Sequence, residues 1–300
     1  MMNAYSSPAG GASARAIAPR GLKLEAPISL VAPLGIFFLT FVLMPFVLLA
    51  FVSLHNDNGL QQMGILQYQK FLGDAFNLSV LGDTLWLGVK VTLLTILIGY
   101  PLAYLYVNAR PRLQAMLMLL ILLPLLTSSV VRTFAWVVIL GRQGIINTVL
   151  MDLGFIADPI KLLYTPTAVT IALAQIELPL MVLPLITALL NVDPNLRQAS
   201  LSLGAGHWRT FMQVTVPLSV PGLLAGSLLV FASAVSAFVT QTLVGGGQRM
   251  FMPFYMYQQA IQANEYPFAA AIAMVLLVCV LVIVTVVNAI GRRSKGFVHA

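Results

Sequence analysis

The sequence predicts an all-α polytopic membrane protein with six transmembrane helices. Hydrophobic residues fill 59% of its 300 positions and charged residues only 8%, against roughly 25% charge in soluble chains. Mean hydropathy is +0.94. The apolar residues also gather into runs of about 20, the length that crosses a hydrocarbon core. Together these exclude an ordinary soluble domain. They also exclude a disordered chain, which pairs low hydrophobicity with high charge. The net charge of +7 does not point to nucleic acid, because Lys and Arg are scattered between apolar blocks. The single cysteine, Cys279, lies deep in an apolar run and reads as a packing residue, so no disulfide framework is expected.

The six expected spans are Ile28–Leu54, Thr84–Asn108, Gln114–Leu140, Thr165–Leu190, Pro221–Val244 and Pro267–Ile290. Each is long enough at 1.5 Å per residue to cross about 30 Å. The first run is too long for a signal-peptide core and lacks a small-x-small cleavage site, so it reads as a retained helix. Residues 1–27 read as a flexible cytoplasmic tail, 28–290 as the membrane domain and 291–300 as a second cytoplasmic tail.

Orientation follows from basic residues in the loops. One set of segments carries ten: Arg15, Arg20, Lys23, Arg110, Arg112, Arg197, Arg209, Arg292, Arg293 and Lys295. The opposite set carries four: Lys70, Arg142, Lys161 and Arg249. The first set is expected in the cytoplasm, with both termini inside and the basic surplus facing inner-leaflet lipid. The outer segments His55–Asp83 and Gly141–Tyr164 contain apolar stretches and are expected to form short interfacial helices. Trp136, Tyr164, Tyr255 and Tyr257 read as belt aromatics near the outer boundary.

The segment 191–218 is the unusual loop. Asp193 before Pro194 is an N-cap followed by proline in the first turn. Leu196, Ala199 and Leu203 have helical spacing, and Gly204 and Gly206 are natural stops. A second short helix follows from His207 with Trp208, Phe211 and Met212, and Pro217 is expected to end it. The loop is too apolar to sit bare in water, so it is expected to dock onto a partner.

Gln198-Ala199-Ser200, Gly204 and Val214-x-Val216-Pro217 resemble the EAA loop of ABC importer permeases, with Gln and Ser at two of the motif positions. The stretch Leu123–Trp136, including Thr127-Ser128-Ser129 and Arg132-Thr133-Phe134, is similar to the corresponding segment of spermidine/putrescine-type permease subunits. So are Leu178–Leu185, Phe238-Val239-Thr240 and Gly245-Gly246. Leu126 departs from that pattern, standing where those subunits often carry Trp. The resemblance implies the type I ABC importer permease (MetI-like) fold, in an inner membrane. It implies a second homologous permease, two ATPase subunits and a periplasmic substrate-binding protein as partners. It also implies that the first loop helix is a coupling helix seated in an ATPase. Arg197, Gln198, Ala199, Ser200, Leu203, Gly204, Ala205, Gly206, Trp208 and Pro217 would then form the coupling surface.

The chain has no G-x-x-x-x-G-K-[ST], no metal-ligand cluster and no nucleophile triad, so it is not expected to be an enzyme or to bind a cofactor. ATP and Mg are expected in the separate ATPase. Glu177, near the middle of the fourth span, is the sharpest residue, because a buried carboxylate costs several kcal/mol unless paired or hydrated. Two readings stand: an acid facing the solute or a partner, or a structural acid that is paired with Arg132 or with a polar residue on another helix, or is protonated. Gln175, two positions away, faces elsewhere. Arg132 itself reads as an anion contact or as a capping, snorkelling arginine. Pro124 with Thr127-Ser128-Ser129 suggests a kinked helix whose freed carbonyls line a cavity, or one held by interhelical hydrogen bonds. Gly222 and Gly226 invite close helix contact. Ser233, Ser236 and Thr240 follow at helical spacing, and Ser236, Thr240 and Gln241 read as packing or as solute contacts. The expected path set is Glu177, Ser236, Thr240, Gln241, Thr127, Ser128 and Phe134.

The favoured reading is half of the translocation path for a polyamine or related small organic cation. Alternatives are an importer for an amino-acid-like compound, a phosphonate or ferric iron. A stand-alone secondary transporter would show an internal repeat, and no convincing halves are visible.

Overall fold

The computed structural model describes residues 28–295. The tail 1–27 and the last five residues of the expected tail 291–300 lie outside that range. Among the described residues there is no strand; an isolated antiparallel bridge joins His55 and Met63. The contacts divide the chain after Val47 into two units. The first unit holds α1 (Ile28–Phe38), a π-turn (Leu39–Leu43) and the start of α2 (Met44–Ser53). Its Phe37 and Phe41 rings pack 4.6 Å apart.

The second unit is built on three helices: α4 (Ala75–Asn108), α8 (Pro166–Leu190) and α11 (Val216–Ser236). Their shared core includes Leu87, Val91, Leu173, Met181, Val230 and Ala234. Lipid tails are as apolar as these side chains, so close van der Waals contact holds the helices rather than hydrophobic expulsion from water. Small residues make that approach possible. A Cβ on Gly226 would sit 2.9 Å from the Met181 carbonyl oxygen. One on Gly222 would sit 2.6 Å from that of Pro184. The contact invited by these two glycines is therefore between α11 and α8.

Among the described residues, six helices are long and apolar enough to cross a membrane. The third expected span is not one helix. It is α5 (Pro111–Leu126) and α6 (Ser129–Leu140), broken at Thr127 and Ser128. Pro124 interrupts the ladder there, and the Thr127 hydroxyl donates to the Pro124 carbonyl at 3.0 Å. The kink expected from this sequence is thus a full break. By length and composition the crossing stretch here is Ser129–Asp152, which adds α7 (Ile145–Asp152) to α6. The second helix begins nine positions before the expected Thr84, at Ala75, where Asp74 accepts the Phe76 N–H at 2.9 Å as N-cap. Polar Asn77, Ser79 and Asp83 hide this start from a hydropathy reading.

The 191–218 segment folds as the sequence suggests at its first half. Asp193 caps α9 (Pro194–Ser202) by accepting the Asn195 N–H at 2.9 Å. Gly204 then takes φ +83, the left-handed geometry that glycine adopts without strain. Pro217 departs from expectation. The chain runs helically from α10 (His207–Thr210) through a π-turn (Phe211–Thr215) into α11. Pro217 sits in the first turn of α11, where its missing N–H costs little. The preceding π-turn realigns the ladder, with the Val216 N–H reaching the Phe211 carbonyl.

The fifth span departs too. It breaks at Ala237, whose ψ is 78, and resumes as α12 (Phe238–Gly245). The interfacial helix expected after the first span is present as α3 (Leu66–Gly73); the short helix expected after the third is α7, which lies within the crossing-length stretch. A further one, α13 (Met252–Tyr257), precedes α14 (Tyr266–Lys295). α14 runs past the expected end at Ile290, through residues 291–295 of the expected tail. Tyr255 is not a belt aromatic. It is buried on α13 and donates to Asn77 Oδ1 at 2.7 Å. Lys70–Glu265 (2.8 Å) and Arg249–Asp83 (3.3 Å) tie the same end of the bundle, both at half-exposed surface.

Candidate functional site

Two breaks and one continuous helix create a cleft of about 390 Å³. α8 supplies Ile176, Glu177 and Leu180; α6 supplies Ser129 and Arg132. The broken α11–α12 junction supplies Ser233, Ser236, Ala237, Phe238 and Thr240. Glu177 is 7% exposed. Among the described residues no cation lies within 4 Å of its carboxylate. Gln175 points away and accepts the Trp136 indole N–H at 3.1 Å, as two-residue spacing on a helix requires.

Arg132 enters the cleft from α6. Its Nη1 donates to the Ile176 carbonyl at 3.3 Å, one residue before Glu177. Its Nε is buried with no acceptor. The arginine therefore lines the cleft, bonded to the α8 backbone and not in a formed ion pair with Glu177. Ser233, Ser236 and Thr240 share the cleft despite the break between them, because the junction at Ala237 keeps their common face.

The remaining expected path residues lie elsewhere. Gln241 is 1% exposed, and its Nε2 donates to the Ala234 carbonyl at 2.8 Å. It satisfies a carbonyl that the break leaves open, which is why it does not line the cleft. Thr127, Ser128 and Phe134 are exposed and are not part of the lining. Sequence reasoning weighed Ser233 only as a helix-face residue and Ser129 only as part of the kinked run after Pro124. No glycine or proline marks the Ala237 break. Its available signal is the density of hydroxyl and amide side chains between Ser233 and Gln241.

A second surface lies on the loop. Leu203 is 89% and Trp208 70% exposed. Beneath them the loop is fastened by side chains. Ser200 Oγ and Thr210 Oγ1 lie 2.9 Å apart and join α9 to α10. Trp208 stacks on Phe211 with centroids 5.7 Å apart, and Phe211 meets the Tyr104 ring edge-on at 5.0 Å. Arg197 lies over Tyr104 at 6.0 Å. Arg197, Ser200, Trp208 and Thr210 thus share one fastening. Leu196, Gln198, Ala199, Leu203, Gly204 and Pro194 are left exposed.

Residues 95–296 match the family described as binding-protein-dependent transport system inner membrane component. The spermidine/putrescine transport system permease protein PotB of Haemophilus influenzae is 34% identical over 207 residues, covering 69% of this chain and 72% of that one. The molybdenum transport system permease protein ModB of Escherichia coli is 34% identical over 190 residues, covering 59% and 81%. A bacterial alginate ABC transporter, solved with its pentasaccharide-bound periplasmic protein, shares the fold. Its TM-score is 0.75 at 19% identity, covering 89% of this chain and 93% of that one. The six membrane-length helices, the glycine-turned loop and these matches agree. This is a multi-pass inner-membrane permease subunit rather than an enzyme, with ATP hydrolysis assigned to a separate subunit. The chain belongs to the binding-protein-dependent inner-membrane permeases of ABC importers.

Proposed function

We propose that this chain forms half of the translocation path of an ATP-driven importer for a polyamine or related small organic cation. The observation that carries the substrate is Glu177, a carboxylate 7% exposed in a cleft of about 390 Å³ with no ion-pair partner within 4 Å. An acid in such a place is costly unless a cation or water meets it. Ser129, Ser233, Ser236 and Thr240 add hydroxyls that suit an ammonium group. The similarity to a spermidine/putrescine permease supports the same substrate.

In this reading a second, homologous permease completes the path. Two ATPase subunits dock, one on the exposed loop surface of each permease around Leu203 and Trp208. A periplasmic binding protein delivers solute to the end bearing α3, α7 and α13. Both termini face the cytoplasm, as the loop Lys and Arg distribution favours. The chain itself holds no cofactor; ATP and Mg reside in the ATPases. Solute and nucleotide must favour different states for their binding to be coupled.

The test is ATPase activity of the complex reconstituted in liposomes with its binding protein. Spermidine or putrescine is expected to stimulate it, and Glu177→Gln to lower that stimulation at least tenfold. Stimulation only by other solutes would discard the polyamine. A second reading, an anionic solute, draws on one observation: the buried Arg132 Nε has no acceptor. The molybdenum permease relative is consistent with it. Stimulation by an oxyanion, lost in Arg132→Gln but not in Glu177→Gln, would select that reading.

A further inference from the structure

The cleft holds two opposite charges that each lack what the other would supply. Glu177 has no cation within 4 Å. Arg132 has a buried Nε without an acceptor, and a single hydrogen bond ties its Nη1 to the Ile176 carbonyl. The two sit on different helices. Glu177 belongs to α8, part of the packed core, whereas α6 joins α5 through the non-helical pair Thr127 and Ser128. α6 is joined to α12 by the Thr133–Thr240 hydrogen bond of 2.9 Å and to α8 by the Trp136–Gln175 hydrogen bond of 3.1 Å. α12 in turn hangs from α11 at the Ala237 break. α6 and α12 are a linked pair with a break at the near end of each, both also packed on α8, and the seating of α6 on α8 sets the distance from Arg132 to Glu177.

From this we infer that Arg132 is the resident counter-ion of Glu177. It is a tethered cation, and a cationic solute enters the cleft only by exchanging with it as α6 and α12 move together. The inference rests on the cation reading above and adds the specificity device. A solute must offer enough positive charge, in the right place, to replace a guanidinium that costs nothing to deliver. Weakly charged or neutral solutes do not displace it. Closing the Arg132–Glu177 pair would also remove a lone carboxylate from a low-dielectric site, where such a charge is strongly destabilising.

The test is a double-mutant cycle on the whole complex, read by thermal melting without solute. Glu177→Gln strands the arginine, and Arg132→Gln strands the carboxylate; each is expected to lower the melting temperature. The double variant Arg132→Gln/Glu177→Gln is expected to recover at least half of the summed loss, because neither charge is then orphaned. Arg132→Lys is expected to melt closer to the parent than Arg132→Gln. Additive losses in the double variant would overturn the pairing. The exchange is read separately, as binding of radiolabelled spermidine to the complex without its binding protein. Arg132→Gln is expected to bind about tenfold more tightly than the parent, since the competing internal cation is gone. Equal or weaker binding in Arg132→Gln would overturn the exchange. Failure of the polyamine reading itself shows elsewhere, as absent spermidine stimulation of the parent ATPase, while the solute-free melting cycle still decides the pair.

Discussion

Thr133 on α6 and Thr240 on α12 share a buried hydrogen bond of 2.9 Å between two helices that each begin at a break in a membrane span. Thr133 Oγ1 also lies 2.8 Å from the Ser129 carbonyl, so one hydroxyl holds both its own helix turn and its neighbour. Interhelical hydrogen bonds in membranes contribute about 0.6 kcal/mol on average and up to about 1.7. Thr133→Val is expected to cost an amount in that range in melting of the complex. It is expected to lower transport more than melting, because the bond joins the two cleft-lining helices. Transport falling only in step with stability would reduce the pair to packing.

Glycine positions in this chain divide by what surrounds them. A Cβ at Gly226 would meet the Met181 carbonyl oxygen at 2.9 Å and its Cα at 3.1 Å, both backbone atoms that cannot step aside. Gly226→Ala is therefore expected to push α11 from α8 and cost about 1–3 kcal/mol. At Gly82, in the interior of α4, nothing lies within 4 Å of the added methyl. Gly82→Ala is expected to stabilise by up to about 1 kcal/mol, through reduced freedom of the unfolded chain and better helix propensity. Parallel melting curves check the opposite signs.

The limits of the sequence reading are visible in particular residues. The fourth span was legible almost to the residue, because Thr165 and Pro166 mark its start and a largely apolar run, interrupted by Gln175 and Glu177, fills it. Asp193, Pro194 and Gly204 wrote the loop plainly, since caps and left-handed turns select few residue types. The Ala237 break was not legible. Alanine favours helix, and the chain is turned there by tertiary contacts, with Gln241 satisfying the Ala234 carbonyl. Pro217 misled for the converse reason: proline forbids a donor, not a helix start, and the π-turn before it absorbs the register change. Tyr255 misled because an amphipathic ring near a membrane boundary has two uses, and its partner Asn77 is 178 positions away. The cleft itself was half visible: Glu177, Ser236 and Thr240 were expected on the path, whereas Ser129 was read only as part of a kinked run.

Tyr255 also carries a pH expectation. Burial pushes its phenol above the ordinary range, with the nearby Asp74 and Glu265 carboxylates acting in the same direction. A group raised in the folded state stabilises fully below its unfolded value. That stability is lost as pH rises through the higher folded value. The complex is thus expected to lose stability above about pH 10, the ordinary tyrosine value. Tyr255→Phe is expected to flatten that alkaline limb. At neutral pH the same variant leaves Asn77 Oδ1 without its 2.7 Å donor and is expected to cost about 1–3 kcal/mol. Melting at several pH values separates the two effects.

The loop surface separates docking from transmission. Leu203, 89% exposed, and Trp208, 70% exposed, are apolar side chains turned outward on a water-facing loop. Phe211, just below, is half-buried and faces inward, edge-on to Tyr100 at 5.7 Å and to Tyr104 at 5.0 Å on α4. If the ATPase grips the outer residues, Leu203→Glu places a charge in that contact and abolishes its co-purification, while the permease melts as before. Phe211→Ala acts at a different step. The outer surface is kept, so the ATPase stays bound, but the aromatic bridge from loop to α4 loses its central ring. Hydrolysis is then expected to continue while solute moved per ATP falls several-fold, because the push on the loop no longer reaches α4 through packed rings. Phe211→Tyr, which keeps the ring, is expected to restore the ratio. A Phe211→Ala complex that loses ATPase and transport together, with the bound ATPase gone, would make the ring part of the docking surface instead. Measuring uptake and phosphate release in the same liposomes, with subunit stoichiometry on a gel, tells the two outcomes apart.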